Sequence, residues 1–359
     1  MSGTVLVTGA TGHLGANLVR RLLADGERVR VLLEPRARTE AVDGLPVERV
    51  TGDLRDRLAV ARAVAGSDRV YHAGAIVSTV TGDAEHRRAI FETNTLGTKY
   101  VLDAALTHAV KRVVVTGSFS AVGYDPLAPD EPSTEEMPFD PFRSPTPYST
   151  SKAAAEHQCW QAAARGLEVV VAVSCAIVGP NDFCPSRLGG VLCAFARGEL
   201  ASYIGGGFPW VAARDVVDGH VRAMRAGRSG ERYILATEYR TMDELLALFE
   251  TVTGRPRPRV RLPAAAMSVV ARLSEPFVTR FLPPERHRLT PAAVHILRLH
   301  RRADISKARR DLGYEPTSLE EAVREAHAWF VERGRIPDAP RRTGFSPERR
   351  PLRAAGART

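Results

Sequence analysis

Tyr148 and Lys152 stand four residues apart in the run Tyr148-Ser149-Thr150-Ser151-Lys152. On a helix that begins near Pro147, that spacing puts a phenol and an ammonium on one face. A free tyrosine ionises at a pKa of about 10 and exchanges protons poorly near neutrality. A neighbouring positive charge favours the phenolate and brings the group toward the range where acid and base work is efficient. Upstream, Thr116-Gly117-Ser118-Phe119-Ser120 ends a predicted strand. There Ser118 is placed to donate a hydrogen bond to a substrate oxygen. Taken alone, a tyrosine and lysine at this spacing are more often surface residues than a catalytic pair.

A second cluster sits at the other end of the chain. Thr8-Gly9-Ala10-Thr11-Gly12-His13-Leu14-Gly15 follows the first predicted strand and opens the first predicted helix. Gly9 permits the tight turn, Gly12 lets a pyrophosphate approach the backbone, and Gly15 lets the helix pack closely on the strand. The helix N-terminus adds amide donors and the positive end of its dipole. A turn that binds no nucleotide is the plain alternative.

The elements that must position these groups alternate. Short β-branched runs at Val5–Thr8, Val29–Leu33, Arg69–His72, Val113–Thr116 and Val169–Val173 are separated by helical stretches such as His13–Asp25 and Asn94–His108. The rhythm predicts βαβ units in an α/β fold with a doubly wound parallel sheet, and the continuously apolar strands predict helices on both faces. A dinucleotide-binding domain is expected over residues 1–178, with 208–226 returning to it as a strand and helix. A smaller C-terminal substrate-binding part is expected over 179–207 and 227–334, with a terminal amphipathic helix at Leu319–Arg333 ending near Gly334. The apolar stretch Leu262–Leu282, broken by Pro263, Arg272, Glu275 and Pro276, reads as a cap helix and not a membrane anchor. The proline-rich and acidic segment Gly123–Pro147 is placed to flank a pocket entrance, or to be a plain surface loop.

The spacing of Gly9, Gly12 and Gly15 resembles the T-G-x-x-G-x-x-G loop of the extended short-chain dehydrogenases, within the NAD-dependent epimerase/dehydratase superfamily, and the resemblance continues down the chain. Gly52-Asp53-Leu54 is similar to the family's adenine-side acid, His72-Ala73-Gly74-Ala75 to the segment that passes along the cofactor, and Asn94-Thr95-Leu96-Gly97-Thr98 to its N-x-x-G-T helix start. The resemblance implies a Rossmann fold, a homodimer, and cofactor contacts from Gly9, Thr11, Gly12, His13, Leu14, Gly15, Asp53, Leu54, Ala73, Gly74, Ala75, Asn94, Thr116, Ser174, Cys175, Ala176 and Ile177. It implies Ser118, Tyr148 and Lys152 as the catalytic set, with Ser120 as the fallback serine and Lys152 on the ribose hydroxyls. The positive nicotinamide ring would then join Lys152 in favouring the phenolate. Asp53 read without the resemblance is a solvated loop acid, and Asn94 a helix cap. Glu34 at the end of the second strand is set to bond an adenosine ribose and repel a 2′-phosphate, which favours NAD. Arg36 and Arg38 follow at once and leave NADP open, since either can pair with a phosphate.

Departures from the family narrow the chemistry. Phe119 and Ser120 stand where sugar-nucleotide dehydratases carry an Asp-Glu pair, and Val173-Ser174-Cys175-Ala176 lacks the asparagine that epimerases set against the nucleotide diphosphate. Gly179-Pro180, Arg214-Asp215-Val216 and Lys307–Tyr314 look like the branch near dihydroflavonol reductases and 3β-hydroxysteroid dehydrogenases. The resemblance implies an NAD(P)-dependent oxidoreductase, a ketoreductase or alcohol dehydrogenase acting on a hydrophobic small molecule. A sugar-nucleotide epimerase and a non-catalytic nucleotide sensor are the alternatives.

The chain of 359 residues is 44% hydrophobic and carries a net charge of +9. Seven arginines against Asp338 and Glu348 put +5 of that charge in the segment Arg335–Thr359, which reads as a solvated, disordered tail and not a nucleic-acid surface. Four cysteines without a C-x-x-C pair signal neither a metal site nor a disulfide framework. With no secretory or membrane-spanning pattern, a cytoplasmic location and neither a membrane nor a nucleic-acid partner are expected.

Overall fold

The computed structural model describes residues 3–128, 130–142, 146–281 and 290–337. Its first half runs β1 (Thr4–Thr8), α1 (His13–Ala24), β2 (Arg28–Leu33), β3 (Glu48–Thr51), α2 (Arg57–Val64), β4 (Arg69–His72), α3 (Ala84–Phe91), a π-turn (Glu92–Leu96), α4 (Gly97–Thr107) and β5 (Arg112–Ser118). A 3-10 turn (Phe119–Ala121) then leads to α5 (Pro147–Ala164), β6 (Val169–Ser174), β7 (Ala176–Val178), α6 (Arg187–Ala196), β8 (Ser202–Ile204), β9 (Gly207–Ala212) and α7 (Ala213–Ala226). The rest is β10 (Arg232–Leu235), β11 (Glu238–Thr241), α8 (Met242–Thr253), β12 (Val260–Leu262), α9 (Ala264–Phe281), α10 (Pro291–Arg298), α11 (Ser306–Leu312) and α12 (Leu319–Glu332).

Seven parallel strands form the main sheet in the order β10-β6-β5-β4-β1-β2-β3. The doubly wound Rossmann architecture is therefore present. The inner strands β1, β4, β5 and β6 are buried nearly throughout because helices cover both faces, whereas the edge strand β3 is largely open. The chain turns back between β1 and β4, so the carboxyl ends of those two strands open the crevice where ligands of such sheets bind.

Two expectations about the elements change. The helix read as opening at Asn94 begins at Ala84, capped by Asp83, whose carboxylate accepts from His86 N. Asn94 lies inside the helix, in the π-turn, so it is not a cap. The wider turn has a packing cause: it aims the Asn94 amide out of the helix toward Ile76 and Ser151.

The segment expected to return to the main sheet divides. Helix α7 packs on β5, β6 and β10, but β9 pairs with β7 and β11 in a separate three-stranded sheet. The strand that joins the main sheet is β10, against β6. A second apolar cluster gathers Trp210, Leu246, Phe249, Val323 and Phe330 under α6, α8 and α12. Leu319 opens α12 as expected, and Ile336 beyond it is buried in the same cluster. Residues 338–359 of the basic tail lie outside the described residues, as do Pro129 and residues 143–145 of the Gly123–Pro147 segment. Among the described residues no helix is long and apolar enough to cross a membrane.

Candidate active site

The glycine loop connects β1 to α1. Gly9 holds a left-handed φ of +70°, and a Cβ there would fall 2.6 Å from Gly74 N. A Cβ on Gly15 would fall 2.0 Å from Gly9 O, so the helix rests directly on the turn. At Gly12 the nearest atom to such a Cβ is Gly9 O at 3.4 Å. The tight positions are thus Gly9 and Gly15, while the approach above Gly12 is open. No side chain caps α1, and Thr11, Gly12 and His13 surround its start. Its first amides, from His13 to Gly15, have no intrahelical acceptor and suit an anion. The cradle fits the pyrophosphate of a dinucleotide.

A line of hydrogen bonds fixes the opposite wall. Gly74 N donates to Thr8 Oγ1, which lies 2.7 Å from His72 Nδ1, while His72 Nε2 lies 3.0 Å from Thr98 Oγ1, itself donating to Asn94 O. The donors and acceptors are all used when the imidazole is neutral with its proton on Nε2. Burial, with Lys152 adding to it, pulls the His72 pKa down to about 3. Asn94 accepts from Ile76 N and donates to Ile76 O and to Ser151 Oγ, and Ser151 in turn donates to Tyr148 O. Asn94 thereby ties the segment after β4 that carries Ala73, Gly74 and Ala75 to the helix that carries Tyr148 and Lys152.

Helix α5 starts where the sequence places it. Pro147 occupies its first turn and Thr146 Oγ1 accepts from Ser149 N. Tyr148 and Lys152 then face the end of β5. The Ser118 hydroxyl lies near enough to the Tyr148 phenol to lower its pKa, and Ser120 Oγ lies 2.8 Å from Ser118 Oγ. The serine and its fallback form one line, Ser120 to Ser118 to Tyr148. Burial raises the phenol's pKa above its ordinary value and the Ser118 contact opposes that rise.

Lys152 Nζ donates to Thr116 O, and Thr116 Oγ1 donates to His220 Nε2 at 2.8 Å. Burial lowers the ammonium's pKa, and Glu156, one turn further along α5, works against that lowering. Glu156 is itself buried and paired with Arg232 at 2.8 Å, the side chains 2% and 8% exposed. Burial raises the Glu156 pKa against the pull of Arg232.

Toward the outer end of the crevice, Asp53 accepts a two-pronged bond from Arg55, which holds its carboxyl below the usual range. Glu34 and Arg36 are exposed just past β2, with Glu34 near enough to Arg55 to strengthen its charge. Leu54 packs on Gly74 and Gly97. Ser174 pairs in register with Ser118, so Cys175, Ala176 and Ile177 continue along the same carboxyl edge of the sheet. Cys175 is buried and burial pushes its thiol up, which makes it wall and not nucleophile.

Sequence reasoning did not single out Glu156, Arg232 or His220. The four-residue step from Lys152 to Glu156 is a legible helical signal, but the others reach the site across long sequence separations.

Residues 5–236 match the model of the NAD dependent epimerase/dehydratase family, and the chain belongs to that family. It is 43% identical over 333 residues to sterol demethylase protein B of Methylococcus capsulatus, covering 93% of this chain and all of that one. It is 29% identical to isoform 1 of 3beta-hydroxysteroid-dehydrogenase/decarboxylase of Arabidopsis thaliana, over 89% of this chain and 77% of that protein. The crystal structure of the protein gox2253 superposes with a TM-score of 0.80 at 29% identity, over 93% of this chain and 100% of that one.

Proposed function

We propose that the protein is an NAD-dependent dehydrogenase that interconverts a secondary alcohol and a ketone on a sterol-like substrate. The observation that carries this reading is the line Ser120–Ser118–Tyr148, set beside Lys152 at the carboxyl end of β5 and above the glycine loop. Sterol demethylase protein B and the plant hydroxysteroid dehydrogenase/decarboxylase, similar over most of their length, support a sterol as the hydrophobic substrate.

Bound nicotinamide dinucleotide supplies the hydride acceptor, or the donor in the reverse direction. Everything else falls to side chains. Ser118 donates to the substrate oxygen and holds it beside the phenol. In oxidation Tyr148 takes the hydroxyl proton, and in reduction it returns it. Lys152 places a positive charge one turn away, and Thr116 O and Glu156 decide where that charge sits. Glu34, at the end of β2, favours NAD over its phosphorylated form. The epimerase reading has less support, because the stretch Val173-Ser174-Cys175-Ala176 at the end of β6 holds no asparagine to contact a nucleotide diphosphate.

The test is an absorbance assay of nucleotide reduction by the full-length protein, with NAD and NADP in turn, against 3β-hydroxysterols, with nucleotide sugars as controls. The expected outcome is sterol-dependent NADH formation that falls roughly 100- to 10,000-fold in Tyr148→Phe. Isomerised nucleotide sugar without net nucleotide reduction would overturn the reading.

A further inference from the structure

Arg301 is a partly buried cation that the chemistry above does not use. It lies between α10 and α11, and among the described residues no carboxylate pairs with it. Burial pulls its pKa down to about 10. Its guanidinium is spent on backbone carbonyls: Nη1 on Phe119 O at 3.4 Å, and Nη2 on Val122 O at 2.9 Å and Gly123 O at 2.8 Å, with Ser133 Oγ at 2.9 Å. The same plane lies 4.3 Å from the ring centre of Phe119 and 4.9 Å from that of Tyr124.

These contacts grip the 3-10 turn that carries the serines. Phe119 stands between Ser118 and Ser120, and its carbonyl already accepts from Val122 N within the turn, so Arg301 adds a second donor there and takes the carbonyls of Val122 and Gly123 at the turn's exit. A partly buried charge with no carboxylate partner costs free energy that an apolar side chain would not, so simple space filling gives no reason for an arginine. Its flat fork is what reaches several carbonyls and stacks on rings at once, which a lysine cannot do.

The other side of Arg301 is tied to the smaller part of the molecule. His300 Nδ1 lies 2.9 Å from Tyr239 OH on β11, and Leu297 O closes on Gly206, where a Cβ would come within 2.3 Å. The cap of α10, Thr290 Oγ1, meets Thr79 Oγ1 at 2.8 Å. Residues 302–304 clasp Ser133 on the loop before α5, through Ser133 N to Arg302 O and Asp304 N to Ser133 O.

We propose that Arg301 is a positioning residue: it holds the Ser118 and Ser120 hydroxyls in line with Tyr148 and makes that alignment depend on how the segment after α10 is seated. The role rests on the reading of Ser118 and Tyr148 given above. Arg301 makes its hydrogen bonds to Phe119, Val122, Gly123 and Ser133 and none to the Ser118 or Tyr148 side chains. It acts through the carbonyls of the turn.

The experiment compares Arg301→Ala and Arg301→Lys with the unaltered protein, in sterol oxidation, in NAD binding by fluorescence and in hydrogen exchange across Phe119–Tyr124. In Arg301→Ala, kcat falls roughly 10- to 100-fold while the Kd for NAD stays within about twofold, since only the serine donor is misplaced. Added guanidinium restores part of the lost kcat, and Arg301→Lys, lacking the fork, does not recover it. A folded alanine variant with unaltered kcat, or a loss that guanidinium leaves untouched while only the melting temperature falls, overturns the proposal. Should the unaltered protein oxidise no sterol, the functional reading fails by itself. Hydrogen exchange then decides: faster exchange confined to Phe119–Tyr124 upholds the tie, and unchanged exchange overturns it.

Discussion

The phenol of Tyr148 works against its own surroundings. Burial raises its pKa, and the neighbouring Ser118 hydroxyl is the group that lowers it. A donor to the phenolate stabilises the charged form, so removing it moves ionisation to higher pH. In Ser118→Ala the alcohol-oxidation rate therefore rises at a higher pH than in the unaltered protein, and the plateau falls roughly 10- to 100-fold from loss of the donor to the substrate oxygen. A pH profile of kcat for both proteins checks this, and an unmoved midpoint contradicts it. Glu156 is the matching device for Lys152, because its carboxylate opposes the desolvation that would neutralise the ammonium. Its pairing with Arg232 lets that charge remain inside the molecule. Breaking such a pair from one side costs about 3–5 kcal/mol.

At the scale of elements, the glycine loop is a contact between a strand, a turn and a helix, and its three glycines answer to different demands. Gly9 and Gly15 face backbone atoms that cannot move aside, and Gly9 also needs its left-handed backbone. A Cβ on Gly12 would meet only Gly9 O, at an ordinary contact distance of 3.4 Å. Gly15→Ala is therefore expected to lower the melting temperature in the absence of cofactor by several degrees, equivalent to about 1–3 kcal/mol of overpacking. Gly12→Ala is expected to leave that temperature nearly unchanged while weakening NAD binding. Melting curves without nucleotide, paired with a binding titration, separate the two, and a Gly12→Ala protein that binds NAD normally would refute the assignment of that face. The π-turn at Glu92–Leu96 belongs to the same scale, since it aims Asn94 between β4 and α5 without ending the helix.

Across the whole molecule, two buried imidazoles brace the crevice from behind. His72 links β4 to β1 and α4, and His220 on α7 accepts from Thr116 and donates to Val216 O. Burial lowers their pKa values to about 3 and about 4. Both stay neutral in the folded chain, whereas the unfolded chain protonates them below about pH 6.5. The unfolded state then binds more protons, so stability from these groups is full above pH 6.5 and drains away as pH falls toward 4. Each contributes a slope of up to about 1.4 kcal/mol per pH unit in that window. Calorimetric melting temperatures are expected to drop steeply below pH 6, and more gently in His220→Gln, which removes one of the two titrating groups. Equal slopes would rule out His220 as a source.

How much of this was legible in the sequence follows from the range of the forces involved. The glycine loop, the spacing of Tyr148 and Lys152 and the start of α5 at Thr146-Pro147 depend on neighbours within a few residues, and the strand–helix rhythm on local periodicity, so one strand of text suffices for them. The pairing of β10 in place of β9 with the main sheet, the burial of Glu156 against Arg232 and the clasp of Arg301 on the serine turn do not depend on local order. Those contacts join residues 61 to 182 positions apart, where no periodic signal survives. The sequence alone determined that a phenol, an ammonium and a serine would come together at the carboxyl edge of a parallel sheet that also carries the glycine loop. Only the tertiary structure decided which buried charges and carbonyls hold Tyr148, Lys152 and Ser118 in place, because desolvation and long-range hydrogen bonds exist only once the chain has closed around them.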